Sequence, residues 1–219
     1  LRWQDEDQHR HSIERTIELA EKNDLIKPLT HWIIESACAQ LYVLEMDQLQ
    51  IAINLSMIDL HDEHLPDRID RALSKYSVQP EQLMIEITEG QIMQDPQRVM
   101  QILERLSAMG ISLTIDDFGT GQASLTYLKN LPVEKLKIDQ SFVKNMAHDV
   151  DDRAIVEATI KLAHTLGKEV VAEGVESAEI HQLLIQMECD YVQGYYISYP
   201  LEWDRLKDWY QQGETRTAS

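Results

Sequence analysis

Six short apolar runs each carry one residue able to ligate a metal or handle a proton: Asn54, Glu86, Asp116, Lys137, Glu173 and Gln193. In an extended strand, side chains alternate faces, so residues two apart share a side. In Ile51-Ala52-Ile53-Asn54-Leu55 the large aliphatics take one face and Asn54 the other. Glu86 stands the same way in Leu83-Met84-Ile85-Glu86-Ile87, Asp116 in Leu113-Thr114-Ile115-Asp116, and Lys137 between Leu136 and Ile138. Carboxylates and one carboxamide, without Cys or His, make a hard oxygen site suited to Mg²⁺ or Mn²⁺ rather than zinc. Adjacent Asp116 and Asp117 at a strand end can hold two cations close together, the arrangement that clamps an in-line phosphoryl displacement. Lys137 adds a positive donor near an attacking water or a phosphate. An Asp-Asp pair by itself is most often a solvated turn; its repetition by Asn54, Glu86 and Glu173 in equivalent positions argues for a site. Gly119 and Gly121 flank Thr120 in a tight loop just after the aspartates, where backbone can approach a ligand closely.

The elements that must position these residues alternate along the chain without a linker or low-complexity break. Helices are expected over 12–23, 28–42, 65–76, 96–109, from 124, over 141–146, 152–166, from 178 and over 201–211. Strands are expected over 50–55, 83–88, 111–116, 135–139, 169–172 and 191–197. Asp95-Pro96 reads as an N-cap followed by proline at the first helical position, and Ser177 as another N-cap. Gly110 and Gly167 close helices. Strands alternating with crossover helices imply a parallel sheet covered by helices. A doubly wound sheet would carry a Gly-rich phosphate turn after its first strand, which this chain lacks. A closed (β/α)₈ barrel places functional residues at the C-terminal ends of strands, as here. Six strands are legible, so the barrel reading expects two more upstream of Leu1.

Composition narrows the partners. With 219 residues, 43% of them hydrophobic, the chain is long enough for one globular domain with a sizeable core. Cys38 and Cys189 stand far apart, which fits a reducing cytosol and predicts neither a disulfide framework nor a zinc site. A net charge of −18 argues against a nucleic-acid polymer as partner. It also requires cations between these carboxylates and any phosphate substrate. Asp117-Phe118-Gly119 matches the kinase metal-binding tripeptide, but no glycine-rich loop, VAIK or HRD motif accompanies it. His61 and His64 have a metal-capable spacing, yet they sit in a polar loop and read as surface histidines. Asp149–Asp152 reads as a solvated acidic turn with a helix N-cap.

Taken in order, Asn54-Leu55-Ser56, Glu86-Ile87-Thr88-Glu89, Asp116-Asp117-Phe118-Gly119-Thr120-Gly121, Leu136-Lys137-Ile138-Asp139, Ala172-Glu173-Gly174-Val175-Glu176 and Gln193-Gly194-Tyr195 resemble the successive motifs of the EAL domain family, bacterial phosphodiesterases that linearise cyclic di-GMP. The resemblance covers essentially the whole chain. Leu1-Arg2-Trp3 resembles the family's E-A-L-x-R-W, which implies that the eponymous glutamate precedes Leu1 and that this is a single, N-terminally truncated EAL domain over 1–219.

The resemblance implies a (β/α)₈ barrel and a cytoplasmic enzyme using two Mg²⁺ or Mn²⁺ ions, with Ca²⁺ inhibitory, to produce linear pGpG. Asn54, Glu86, Asp116, Asp117 and Glu173 would be metal ligands, with Asp116 bridging. Lys137 and Glu173 would act on the attacking water; whether Lys137 or a carboxylate is the base stays open. Gln193 would orient water and Glu173, and Arg2 would contact a substrate phosphate. Glu89 would brace the Gly119-Thr120-Gly121 loop, which couples a homodimer interface to the metals. Upstream sensory or GGDEF domains, and a membrane anchor in the parent protein, are compatible with this reading. The alternative is a catalytically inactive EAL receptor that binds cyclic di-GMP and signals by conformation.

Overall fold

Most helices in this chain start at a residue whose side chain can accept a backbone N–H. The computed structural model describes residues 12–44, 46, 48–121 and 125–217, with backbone alone for 125–127 and 211–217. Ser12 caps α1 (Ile13–Lys22), Ser56 caps α3 (Met57–Leu60), and Thr88 caps α5 (Glu89–Gln94). Asp95 caps α6 (Pro96–Ala108), Asp139 caps α8 (Gln140–Asn145), Asp149 caps α9 (Val150–Thr165) and Ser177 caps α10 (Ala178–Gln186). Each cap satisfies one of the orphan donors of the first turn. The remaining helices are α2 (Ile26–Leu44), α4 (Leu65–Tyr76), α7 (Leu125–Asn130) and α11 (Trp203–Thr217).

The six strands are β1 (Ile51–Asn54), β2 (Leu83–Thr88), β3 (Ser112–Phe118), β4 (Lys135–Ile138), β5 (Glu169–Glu173) and β6 (Tyr191–Gln193). They follow one another in chain order in the sheet. Where register is defined the pairing is parallel: Ile51 faces Leu83, Lys135 faces Glu169, and Val171 faces Tyr191. Both faces of the central strands are covered, with all four residues of β4 and four of the six in β2 buried. That is the expected state of a parallel sheet layered by helices.

The chain divides into two compact units, one built from Leu1–Thr114 and Leu125–Pro132, the other from Ile115–Ser124 and Val133–Ser219. In the first, α2 packs on α4 and α4 on α6, around Ile34, Leu60, Ile69, Leu83, Ile85 and Leu103, all at most 1% exposed. Asp59 ties this unit together. Its buried carboxylate accepts from Thr30 Oγ1 at 2.8 Å and from Ser56 Oγ at 2.7 Å. In the second unit, α9 packs on β4, β5 and α8, burying Leu136, Ile138, Val143, Val156 and Ile160.

Several expected boundaries move. The second helix starts at Ile26, two residues before Pro28, because a proline in the first turn removes no intrahelical hydrogen bond. Helix α9 begins at Val150, since Asp149 caps it by accepting from the Asp151 and Asp152 amides. The last strand ends at Gln193 and not at Ile197: Ile197 and Ser198 donate their N–H groups back to the Gly194 carbonyl, turning the chain. The final helix runs on to Thr217. Helices α3 and α5, which begin directly after strand ends, are additional to the expected set.

Candidate active site

In the first unit, the C-terminal ends of β1 and β2 bring Asn54 and Glu86 together. They are register partners, and Asn54 Nδ2 donates to Glu86 Oε2 at 2.9 Å. Leu55 N–H donates to the Glu86 carbonyl at 3.1 Å, which fixes the strand ends to each other. Glu86 is 7% exposed, so its carboxylate is held largely out of water. Two residues on, Thr88 and Gln91 form a capping box, and Gln91 Nε2 also donates to the Leu55 carbonyl at 2.8 Å. Glu89 lies buried in the first turn of α5, at 4% exposure. Its bracing of the Gly119-Thr120-Gly121 loop, which belongs to the other unit, stays an expectation.

In the second unit, β3, β4 and β5 supply a denser cluster. Carboxylate oxygens of Asp116, Asp117 and Glu173 lie within 4.8 Å of one another. Lys137 reaches in from β4, with Nζ 3.1 Å from Asp116 Oδ1 and 2.7 Å from Glu173 Oε1, and its side chain is only 7% exposed. The backbone organises the aspartates. Asp117 takes a left-handed conformation with φ of 53°, and its own N–H donates to Asp116 Oδ1 at 3.0 Å. Asp tolerates this region better than most side chains, but the turn is still a strained one. Thr120 closes it, donating through N and Oγ1 to the Asp117 carbonyl at 3.3 and 2.8 Å. Gly119, at φ of 99°, leaves room for the Phe142 ring, which an added Cβ would meet at 3.3 Å.

Burial and then the neighbouring charges of Asp116 and Asp139 push the Asp117 carboxyl above its usual pKa. Asp139 goes the other way: burial opposes its ionisation, but hydrogen bonds from Ser141 and Asp117 hold it below the usual range. Three crowded carboxylates with one ammonium between two of them suit a hard divalent cation. The donor set therefore fits a hard cation such as Mg²⁺ or Mn²⁺, and Asp116, Asp117 and Glu173 could hold one in this unit.

Glu173 and Gln193 are register partners on β5 and β6, and both open onto a cleft of about 250 Å³. Its other walls are Gln140, Lys144, Gly174, Glu176, Gly194 and Tyr195. Lys144 Nζ sits 3.0 Å from Glu176 Oε1 at the rim. Gly194 lies so tightly against Val175 that an added Cβ would fall 2.1 Å from the Val175 carbonyl oxygen.

Of the residues expected from sequence, Asn54 meets Glu86, while Asp116, Asp117, Lys137 and Glu173 meet one another. Gln193 stands beside Glu173. Arg2 lies outside the described residues. His61 and His64 do not converge: each has its own carboxylate, Asp95 at 3.5 Å and Asp67 at 3.7 Å. Sequence reasoning gave no role to Asp139, Gln140, Lys144 or Glu176. Asp139 and Glu176 lie inside the family motifs and could have been found there; Gln140 and Lys144 carry no signal of their own.

The EAL domain profile matches residues 1–200. The chain belongs to the EAL domain family. This EAL domain is 40% identical over 210 residues to the bifunctional diguanylate cyclase/cyclic di-GMP phosphodiesterase MucR of Pseudomonas aeruginosa, covering 94% of the chain and 30% of MucR. It is 36% identical over 211 residues to the cyclic di-GMP phosphodiesterase NbdA of the same species, covering 95% of the chain and 27% of NbdA. The chain thus spans less than a third of the length of these relatives. Among solved structures, the MucR phosphodiesterase in complex with c-di-GMP superposes with a TM-score of 0.89 at 38% identity, over 94% of this chain and 84% of that one. The fold class is accordingly the (β/α)₈-type barrel of EAL domains, represented by six strands among the described residues. No helix among those residues is long and apolar enough to cross a membrane.

Proposed function

We propose that this EAL domain is a metal-dependent phosphodiesterase that opens cyclic di-GMP to linear pGpG. The observation that carries the reading is Lys137, buried between Asp116 and Glu173 in a cluster that also holds Asp117. The likeness to relatives named as cyclic di-GMP phosphodiesterases supports cyclic di-GMP as the substrate.

Opening the ring adds a water oxygen to one phosphorus and breaks its bond to a ribose 3′ oxygen, which leaves as a hydroxyl. Bound Mg²⁺ or Mn²⁺ would supply Lewis-acid stabilisation of the phosphate and of the incoming oxygen. Asp116, Asp117 and Glu173 would hold a cation, and Asn54 and Glu86 keep the ligand roles that the family resemblance implies. Lys137 donates hydrogen bonds from a fixed position and sets its charge against that of the phosphate. Glu173, 2.7 Å from Lys137, is the acceptor on the water's other side, and Gln193 next to it orients both. Arg2 belongs to this reading as a phosphate contact.

The reading extends to the surroundings. The chain would be the hydrolytic part of a longer cytoplasmic signalling protein, fused upstream to sensory or GGDEF domains, as its share of the relatives' length supports. The exposed loop through Gly119, Thr120 and Gly121 would serve a homodimer contact, and Glu89 would brace it as the family resemblance implies. Incubation with cyclic di-GMP and Mg²⁺ or Mn²⁺, followed by mass spectrometry, tests the reaction. A product heavier by one water is expected, and Ca²⁺ should block it while permitting binding. Tight nucleotide binding with no change of mass under any of these ions would establish the receptor instead.

A further inference from the structure

Cations are scarce on this chain, with 20 Lys and Arg against 38 Asp and Glu, yet they gather at one place on the first unit. A groove of about 460 Å³ is lined by His31 and Glu35 from α2 and by His64, Arg68 and Arg71 at the start and along one face of α4. From the size and charge of this groove, which shares no lining residue with the candidate active site, we infer that it is a binding site for a small ligand bearing a phosphate dianion.

The charge balance sets the class of ligand. Each carboxylate at the groove already has a cation of its own. Glu35 is 2.5 Å from Lys75, Asp67 is 2.7 Å from Arg105, and Asp62 is shared by Arg68 at 2.7 Å and Lys27 at 3.2 Å. The groove's own lining thus carries two guanidinium groups, Arg68 and Arg71, against the single carboxylate of Glu35, which Lys75 already neutralises. Asp70, the other acid on α4, lies roughly 130° round the helix from the groove face at about 100° per residue. Arg71 Nε donates to the Asp67 carbonyl at 3.0 Å, which anchors the guanidinium on its own helix. A planar fork anchored in this way matches phosphate oxygens, and His31 and His64 add imidazole donors at the sides. A volume within the usual small-molecule range favours a small anion over a flat membrane surface.

Calorimetric titration with inorganic pyrophosphate, in buffer containing EDTA and low salt, tests this. Saturable binding is expected, weakened roughly tenfold or more by Arg71→Gln and measurably by His64→Gln, as for loss of a charge-assisted contact. Both side chains are exposed, so the variants should melt like the parent; Lys137→Ala should bind pyrophosphate unchanged. Absence of saturable binding overturns the site. Insensitivity to both groove substitutions, or loss on Lys137→Ala instead, places the anion elsewhere. Malonate binding as tight as pyrophosphate would overturn phosphate as the ligand class.

Discussion

At the scale of single residues, the cluster's most informative member is Lys137, because it occupies space between the carboxylates that a metal cation would share. Lys137→Ala should bind Mn²⁺ at least as tightly as the parent, since a resident ammonium has been removed from Asp116 and Glu173. Turnover of cyclic di-GMP should fall about 100-fold or more, as for other proton-handling groups. Asp116→Asn should instead weaken Mn²⁺ binding itself. Calorimetric titration of Mn²⁺ into both variants measures this, and equal losses in the two would remove Asp116 from the ligand set. The identities of these residues were readable because each is a polar intrusion in an aliphatic strand. Their local conformations were not. Nothing in Asp116-Asp117 announces a left-handed residue, because the turn is imposed by the Thr120 hydrogen bonds and the Phe142 ring, which lie beyond the strand. The environment of Asp62 was equally hidden. Burial would raise its pKa, but hydrogen bonds from Arg68, the His64 amide and Lys27 bring it down to about 2. A carboxyl whose folded pKa is depressed adds stability above its unfolded pKa and loses it as pH falls toward the folded one. The stability gap between the parent and Asp62→Asn should therefore narrow by about 1 kcal/mol between about pH 5 and pH 3. Urea unfolding at the two pH values reads it, and a constant gap would mean the pairs leave Asp62's titration unmoved.

At the scale of elements, strands were easier to read than the segments directly after them. Ser56-Met57-Ile58-Asp59 and Thr88-Glu89-Gly90-Gln91 are capping-box sequences at the ends of β1 and β2, and both nucleate short helices. The signal was present, but apolar periodicity cannot register a helix of four or six residues. The opposite error affects 191–197, where a run of tyrosines and aliphatics suggests a long strand and the backbone turns at Gly194. Two glycines separate these effects in a measurable way. Gly194→Ala would drive a Cβ to 2.1 Å from the Val175 oxygen and 2.4 Å from its nitrogen, both backbone atoms that cannot step aside. It should destabilise by about 3 kcal/mol or more and disturb the Gln193 side of the cleft. Gly90→Ala meets nothing within 4 Å and sits in α5, so it should stabilise by about 0.5–1 kcal/mol. Chemical denaturation of the two variants gives the comparison; a neutral Gly194→Ala would show that β6 can withdraw from β5 at little cost.

At the scale of the whole molecule, the net charge of −18 means that the fold works against its own electrostatic repulsion. Most of the ion pairs are surface pairs that contribute little to stability, so their loss in salt costs little, whereas long-range repulsion is screened over about 10 Å at 0.1 M ionic strength. Raising NaCl from about 20 mM to about 200 mM should therefore raise the melting temperature by a few degrees. A lower melting temperature in salt would mean that specific pairs such as Arg68–Asp62 outweigh the global term. The parallel register has a different kind of consequence, in time. Ile51 pairs with Leu83, Lys135 with Glu169 and Val171 with Tyr191, so each partner strand is made about 20 to 35 residues after the one it joins. Parallel sheets usually fold slowly because their contacts span long loops, but these loops are short and begin with capped helices. Synthesis at about 5–20 residues per second leaves a second or more between the emergence of successive strands. The β1–β2 ladder, carrying Asn54 and Glu86, can thus close on the ribosome before the aspartates of β3 have left the exit tunnel. A stalled chain ending some 40 residues after Thr88 should already protect the Leu55 amide from hydrogen exchange.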